Sequence, residues 1–258
     1  SAKFTDPVFT RVVFGAATLP WTIMHKPDMT GAQFDGAVFE RTVFSEVVLR
    51  GAILRRLKMA NSVFTSADLE GARLEEVSAV QTFFQEANMP GMDLSGTTLF
   101  ACQLRDCKLA GARLTNGSFE RCGFMGVDLE RAELSGANLA NTIFSGARLM
   151  GANFSSAVLN QAHFQEAKLQ AARFDGAKLE MAGFNKADCT NASFRGANLT
   201  YADFSHAVLD GADLSDAILL EAKLHAISEE GTRWPPGKTL ARGTDPDRLE
   251  AERWQPAT

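Results

Sequence analysis

The chain's stock of groups able to do chemistry is small: four histidines, four cysteines and one tyrosine in 258 residues. His206 and His225, 19 residues apart, could approach each other with Asp203 nearby, and a metal-dependent enzyme reading would rest on these two histidines alone. Cys102, Cys107, Cys122 and Cys189 show no CxxC spacing, which argues against a zinc cluster. No nucleophile motif and no phosphate-cradling glycine loop accompanies them. His25, His163, His206 and His225 therefore read first as surface histidines, and the chain as a non-enzyme with no catalytic residue, no cofactor and no metal. Whether any of these groups converge depends on the elements that carry them.

Those elements repeat every five residues. In "AELSGANLANTIFSGARLMGANF", Ala132 to Phe154, Leu or Phe recurs at 134, 139, 144, 149 and 154 with a small residue two positions before each. The register runs from Phe4 to Leu224 without insertion, giving 45 centres of which 22 are Leu, 17 Phe and four Met; only Ala79 and Cys189 depart. Neither a helix, at about 3.6 residues per turn, nor a strand, at about two, has this period. Fixed-period self-similarity of this kind marks a solenoid.

The pattern A-[D/N]-[L/F]-x-x, seen here as "GANLT", "GADLS" and "YADFS", resembles the signature of pentapeptide-repeat proteins. The resemblance implies a right-handed quadrilateral β-helix, all-β, in which four pentapeptides form one square coil with the centre and the residue two before it pointing inward. The sequence tests this independently, because residues 20 apart should then stack and each face should favour its own centre. Phe44, Phe64, Phe84, Phe124, Phe144, Phe164, Phe184 and Phe204 share one face, whereas Leu49, Leu69, Leu109, Leu129, Leu149 and Leu169 share another. Alternating bulky and smaller centres suits a close-packed core. The reading predicts about 11 coils at the strand spacing of ~4.8 Å, a rod about 50 Å long.

Regularity is unequal along the rod. From Ala132 to Ala222 the inward site two before each centre is Ala in 18 of 19 repeats; from Ala2 to Val127 it is Ala in nine of 26. Pro7, Val12, Pro27, Val47, Leu57, Val77, Met92 and Gly117 intrude there, so the N-terminal half should be wider or distorted, with a more individual surface. Gly31, Gly51, Gly71, Gly91, Gly111, Gly151 and Gly211 share one column two after a Leu or Met centre and read as corner residues. Cys102 and Cys122 should stack, but parallel inward side chains disfavour a disulfide, and all four cysteines read as core fillers. Residues 1–224 are expected to form the β-helix and 225–258 a C-terminal cap. In the cap, Trp234 covers the final coil and Asp245-Pro246 starts a short helix running toward Trp254. Ser1 begins in register, which the reading takes as either a fragment of a larger protein or an end that docks elsewhere.

Function classes narrow on charge. With 26 Lys and Arg against 31 Asp and Glu, the net charge is -5 and the signs are interspersed, so nothing forms a phosphate-gripping tract. No apolar run is long enough for a membrane helix and no leader is visible, so a cytoplasmic location is expected. The anomalies are apolar residues at outward positions. Ile23, Val43, Val63 and Phe83 fall in one column, Trp21 lies one corner away, and Phe100 is the other outward phenylalanine. Such a strip marks a protein partner or an adjacent domain. The first reading is thus a non-enzymatic interaction or scaffold module, as in pentapeptide-repeat domains fused to other proteins such as type VI secretion accessory proteins. The second, similar to the family's quinolone-resistance proteins, is a gyrase-binding DNA mimic; it is weakened by dilution of the acids with bases.

Overall fold

One pentapeptide explains why the chain coils. In the computed structural model, which describes residues 3–236 and 240–253, every backbone N–H of Ala152–Ser156 has a partner. Ala152 closes the turn onto the Leu149 carbonyl at 3.0 Å; Asn153 donates to Ala132 one coil back at 2.9 Å; Phe154 and Ser156 donate to Arg173 and Asp175 one coil ahead at 2.7 and 2.9 Å. The remaining N–H, of Ser155, is taken by the side chain of Asn153 at 3.1 Å. Three ladder bonds, one turn bond and one side-chain bond satisfy all five donors, as buried backbone requires. This is the physical content of the Asp or Asn before each centre, an Asx turn. Thr30, Ser95, Thr190 and Ser215 donate in the same way to Asp28, Asp93, Asp188 and Asp213. The hydroxyl and amide of Ser215 hold the Asp213 carboxyl below its usual range.

The result is a four-sided parallel β-helix with residues 20 apart in register, and no loop interrupts the coils among the described residues. One face stacks β1 (Lys3–Thr5), β3 (Ile23–His25), β5 (Val43–Ser45), β7 (Val63–Thr65) and β9 (Phe83–Gln85). The adjacent face stacks β2 (Thr18–Pro20), β4 (Val38–Glu40), β6 (Lys58–Ala60), β8 (Ser78–Val80) and β10 (Thr98–Phe100). The remaining two faces, and all four beyond residue 100, are held by single parallel bridges such as Asp128↔Arg148 and Asn153↔Arg173. The backbone ladder continues past the last centre, Leu224, through Asp213↔Arg233 and Lys223↔Arg242. α1 (Pro246–Arg253) follows, its first turn capped by the Asp245 carboxylate, which accepts from Asp247 and Arg248 at 3.1 Å each. Trp234 is half-buried against the core; the expectation for Trp254 lies outside the described residues.

Inside, phenylalanines from opposite faces alternate. Phe144, Phe164 and Phe184 stack at 5.0 and 4.9 Å, and Phe154, inserted from across the square, meets Phe144 and Phe164 edge-on at 5.9 Å. Both geometries are favoured for aromatic pairs. The four cysteines are buried free thiols. Burial pushes the Cys107 thiol up to about 12. Each corner places one residue in the left-handed region; the shared glycine column supplies it at Gly31, Gly51 and Gly71 with φ of 65, 60 and 68°.

The N-terminal half differs in two ways. Its corners after β2 to β10 lack the tight turn bond and are wide. At three of them a buried hydroxyl bonds the corner carbonyl instead: Thr22 to Pro20 at 3.3 Å, Ser62 to Ala60 at 3.1 Å, Thr82 to Val80 at 3.1 Å. Wider corners leave room for strands, so the half with the less regular sequence holds the longer ladders. Its second peculiarity is a seam between Gly71–Glu76 and Gly91–Ser95. One coil earlier, Gly51, Arg73, Leu54 and Arg56 make inter-coil bonds of 3.0, 2.9, 2.8 and 2.9 Å. Their equivalents from Gly71, Asp93, Leu74 and Glu76 are not formed among the described residues. Met92 occupies an inward site that is Ala in both neighbouring coils; toward Ala112 the ladder is closed, with Arg113 donating to the Met92 carbonyl at 2.9 Å, and only toward Ala72 is it open. A small apolar gap lined by Leu74, Phe84, Met89 and Leu94 lies behind the seam.

Two outcomes follow. Phe144→Ala should cost about 3–5 kcal/mol in denaturant unfolding, as for other buried phenylalanines; a loss below about 1 kcal/mol would place Phe144 outside the core. In hydrogen exchange, the amides of Leu74, Glu76 and Asp93 should exchange faster than those of Leu54, Arg56 and Arg73, and equal protection would mean the seam is closed in solution.

Candidate functional site

The wide corner and its two flanking sheets carry the outward apolar residues. Parallel pairing of β3, β5, β7 and β9 sets Ile23, Val43, Val63 and Phe83 in one unbroken column, so side chains spread over 60 positions touch the same line of surface. Ile23 and Phe83 are 37% and 49% exposed. Val43 and Val63, between them in the ladder, are half-buried. Trp21, 55% exposed, stands on the corner in the left-handed conformation, with the Arg41 guanidinium 4.6 Å above its ring. Across the same corner Val80 and Phe100 are exposed at the ends of β8 and β10, and Arg121 lies 5.7 Å from the Phe100 ring. All five expected residues therefore lie on one edge, with Trp21 and Phe83 separated by three coils.

Beyond Phe83 the column changes character. It continues through Gln103 and Gly123 to Ile143. A Cβ on Gly123 would meet Gln103 Oε1 at 2.0 Å, so glycine there lets the Gln103 side chain lie flat. The result is a depression of about 380 Å³ lined by Phe83, Gln85, Gln103, Arg105 and Met125. Met125 and Ile143 are additional exposed apolar residues on this face. The sequence signal for Ile143 was present, since it lies six coils of 20 residues from Ile23; Met125 falls instead in the column of Gln85 and Arg105. The stacked acids of the same face are matched locally, Glu46 by Lys26 at 3.4 Å and Asp106 by Arg105 at 3.1 Å, while Glu86 accepts from Ser66 at 3.2 Å.

At the other end of the rod the fold does bring His206 and His225 together, with ring centroids 5.3 Å apart. A third group joins them that sequence reasoning missed. Glu252, on α1, places one carboxylate oxygen 3.1 Å from His206 Nε2 and 3.2 Å from His225 Nε2. Its carboxyl is held down to about 2 by the hydrogen bonds from Arg248 and His225. Asp203 pairs with Lys223 at 3.5 Å.

No helix among the described residues is long and apolar enough to cross a membrane. Two family profiles match the sequence, "Pentapeptide repeat region" over residues 117–194 and "Pentapeptide repeats (8 copies)" over 42–78, 62–100, 81–116 and 184–225. Curated protein sequences give no match. Among solved structures, HetL, a pentapeptide repeat protein involved in heterocyst differentiation regulation from the cyanobacterium Nostoc sp. strain PCC 7120, is 26% identical, with 91% of this chain and 92% of that one covered and a TM-score of 0.37. A trypsin-treated form of QnrB1, a plasmid-mediated fluoroquinolone resistance protein, is 18% identical, with 97% of both chains covered and a TM-score of 0.32.

Outward and inward residues of one strand should respond oppositely to the same change. Val63→Ser and Phe83→Ser should each cost about 1 kcal/mol or less in unfolding, since they remove only surface contacts. Phe64→Ser, between them in the coil interior, should cost about 3–5 kcal/mol or more. Similar losses at all three positions would mean that the strip is part of the core.

Proposed function

Because the chain belongs to the pentapeptide-repeat family, we propose that it works as a rigid, non-enzymatic protein-interaction module. Its partner surface is the edge bearing Trp21, Ile23, Val43, Val63 and Phe83. The observation that supports this reading is the register that stacks Ile23, Val43, Val63 and Phe83 into one apolar column beside an exposed indole. Aromatic anchors in an apolar patch are the usual source of binding energy between proteins. The neighbouring depression with Gln103 and Arg105 on its rim would take an apolar side chain of the partner and fix its register through polar contacts. Protein partner and adjacent domain are both served by such a surface, including the fused arrangement expected for a secretion accessory protein. The cytoplasm fits four buried thiols that remain reduced.

DNA mimicry of the gyrase-binding kind would rest instead on an acidic column. Here Glu46 and Asp106 are each countered by a base within 3.4 Å. Affinity capture with the wild-type chain, the Val63→Ser/Phe83→Ser variant and a Glu46→Ala/Glu86→Ala/Asp106→Ala variant separates the readings, together with a gyrase supercoiling assay. The expected result is a protein retained by wild-type and by the acid variant, with altered salt dependence, and lost by the apolar variant. Retention by the apolar variant and loss by the acid variant, with inhibition of supercoiling, would replace this reading with DNA mimicry.

A further inference from the structure

Independently of the strip, we propose that His206, His225 and Glu252 form a binding site for one divalent ion of the zinc class, which fastens the C-terminal helix to the last coils of the rod. The three donors come from three separate places in the chain. His206 sits on a corner with φ of 63°, and its backbone N–H donates to the His225 carbonyl at 2.8 Å, which brings the two rings together. Glu252 arrives on the last full turn of α1, after a connection outside the repeat. One ligand atom from each lies within 4.8 Å of the others, and two of the three separations are 3.1 and 3.2 Å. Tetrahedral zinc bonded to nitrogen and oxygen at about 2.0–2.1 Å needs donor separations of ~3.3 Å, so two edges of the coordination triangle are already in place and rotation of one imidazole closes the third. Two imidazoles and a carboxylate are a ligand set that zinc accepts, leaving a fourth position for water.

The surroundings are consistent with this. A depression of about 180 Å³ lined by Lys223, His225, Arg242, Gly243, Asp245 and Arg248 opens beside the donors and gives solvent access. Lys223 is paired with Asp203 and Arg242 with Glu221, while Arg248 holds the other oxygen of Glu252 at 2.7 Å and would share that carboxylate with the ion. His225 is 4% exposed at its side chain, so its ring is fixed before any ion arrives. Binding has one defined cost. His225 Nδ1 now faces the Asp245 backbone N–H at 3.2 Å and accepts from it, which leaves the ring proton on Nε2. Coordination through Nε2 moves that proton to Nδ1, so the Asp245 hydrogen bond is exchanged for the metal bond, and the Nε2 proton that His206 directs at Glu252 must likewise pass to its Nδ1. Both rings bind as neutral imidazoles, and no group is oxidised or reduced.

The test uses tag-free full-length chain, titrated with zinc chloride by calorimetry and thermal melting, and with cobalt(II) followed by visible absorption. Saturation at one equivalent, a rise in melting temperature reversed by chelator, and a tetrahedral cobalt spectrum are expected. Glu252→Gln, which leaves every coil intact, should weaken zinc binding by at least about tenfold, with His206→Ala as the second variant. In the NMR spectrum the Asp245 amide should shift and lose protection on zinc addition. Absence of saturable binding, or equal affinity in wild-type and both variants, would overturn the site and leave the cluster as an ion pair between cap and coil.

Discussion

The spacing between hydrogen-bonded strands is the constraint to which the rest of this molecule answers. Every coil must sit about 4.8 Å above the last, so each inward side chain has only that thickness of core to fill. Leucine and phenylalanine laid flat can fill it, and the second inward site in each repeat is most often alanine, with Val47, Leu57 and Val127 also accommodated. From Ala132 to Ala222, where that site is nearly always alanine, the phenylalanines pack face to face and edge to face. Beside Met92 the ladder parts from the Ala72 coil and stays closed to the Ala112 coil. The corners differ in how the inward hydroxyl is used. At Thr22, Ser62 and Thr82 it bonds the corner carbonyl beside the apolar strip, whereas at Thr97 and Thr142 it bonds the centre carbonyl and the tight turn bond is kept.

Much of this was legible in the residues because the period is exact in register and short. The centres, the stacking of residues 20 apart, the glycine column and the Asp245-Pro246 helix start each depend on contacts within one coil or one turn. The strip was readable for the same reason, since Ile23, Val43, Val63 and Phe83 need only the repeat to become neighbours. The wide corners were not anticipated, although Thr22, Thr42, Ser62 and Thr82 formed a visible column. A buried hydroxyl has several possible acceptors, and only the backbone path decides among them. The seam was foreseen as irregularity but not as broken bonds on one side, because loss of a hydrogen bond depends on fractions of an ångström.

Glu252 was beyond reach for a different reason. The spacing of 20 still holds at Asp213↔Arg233 but fails at Lys223↔Arg242, 19 residues apart, and with it goes the arithmetic that converts sequence distance into spatial distance. His206 and His225 could be paired by counting. Their carboxylate partner could not, because its position depends on the route of a non-repeating segment that ends in a capped helix.

The uninterrupted register also limits how the molecule can communicate. Nearly every tertiary contact joins residues about one coil apart, so each layer senses only its two neighbours, as in a one-dimensional chain of coupled units. An event at the histidine end can reach the aromatic edge only by passing through each intervening layer, and close-packed layers with a single arrangement pass on little. Allosteric coupling needs an element with two states, and a stretch where the layers are incompletely joined, beside Met92, lies at the edge of the strip itself. The two ends of the rod are therefore insulated from one another, so that a change in one end's layers leaves the packing of the other untouched while both share one scaffold.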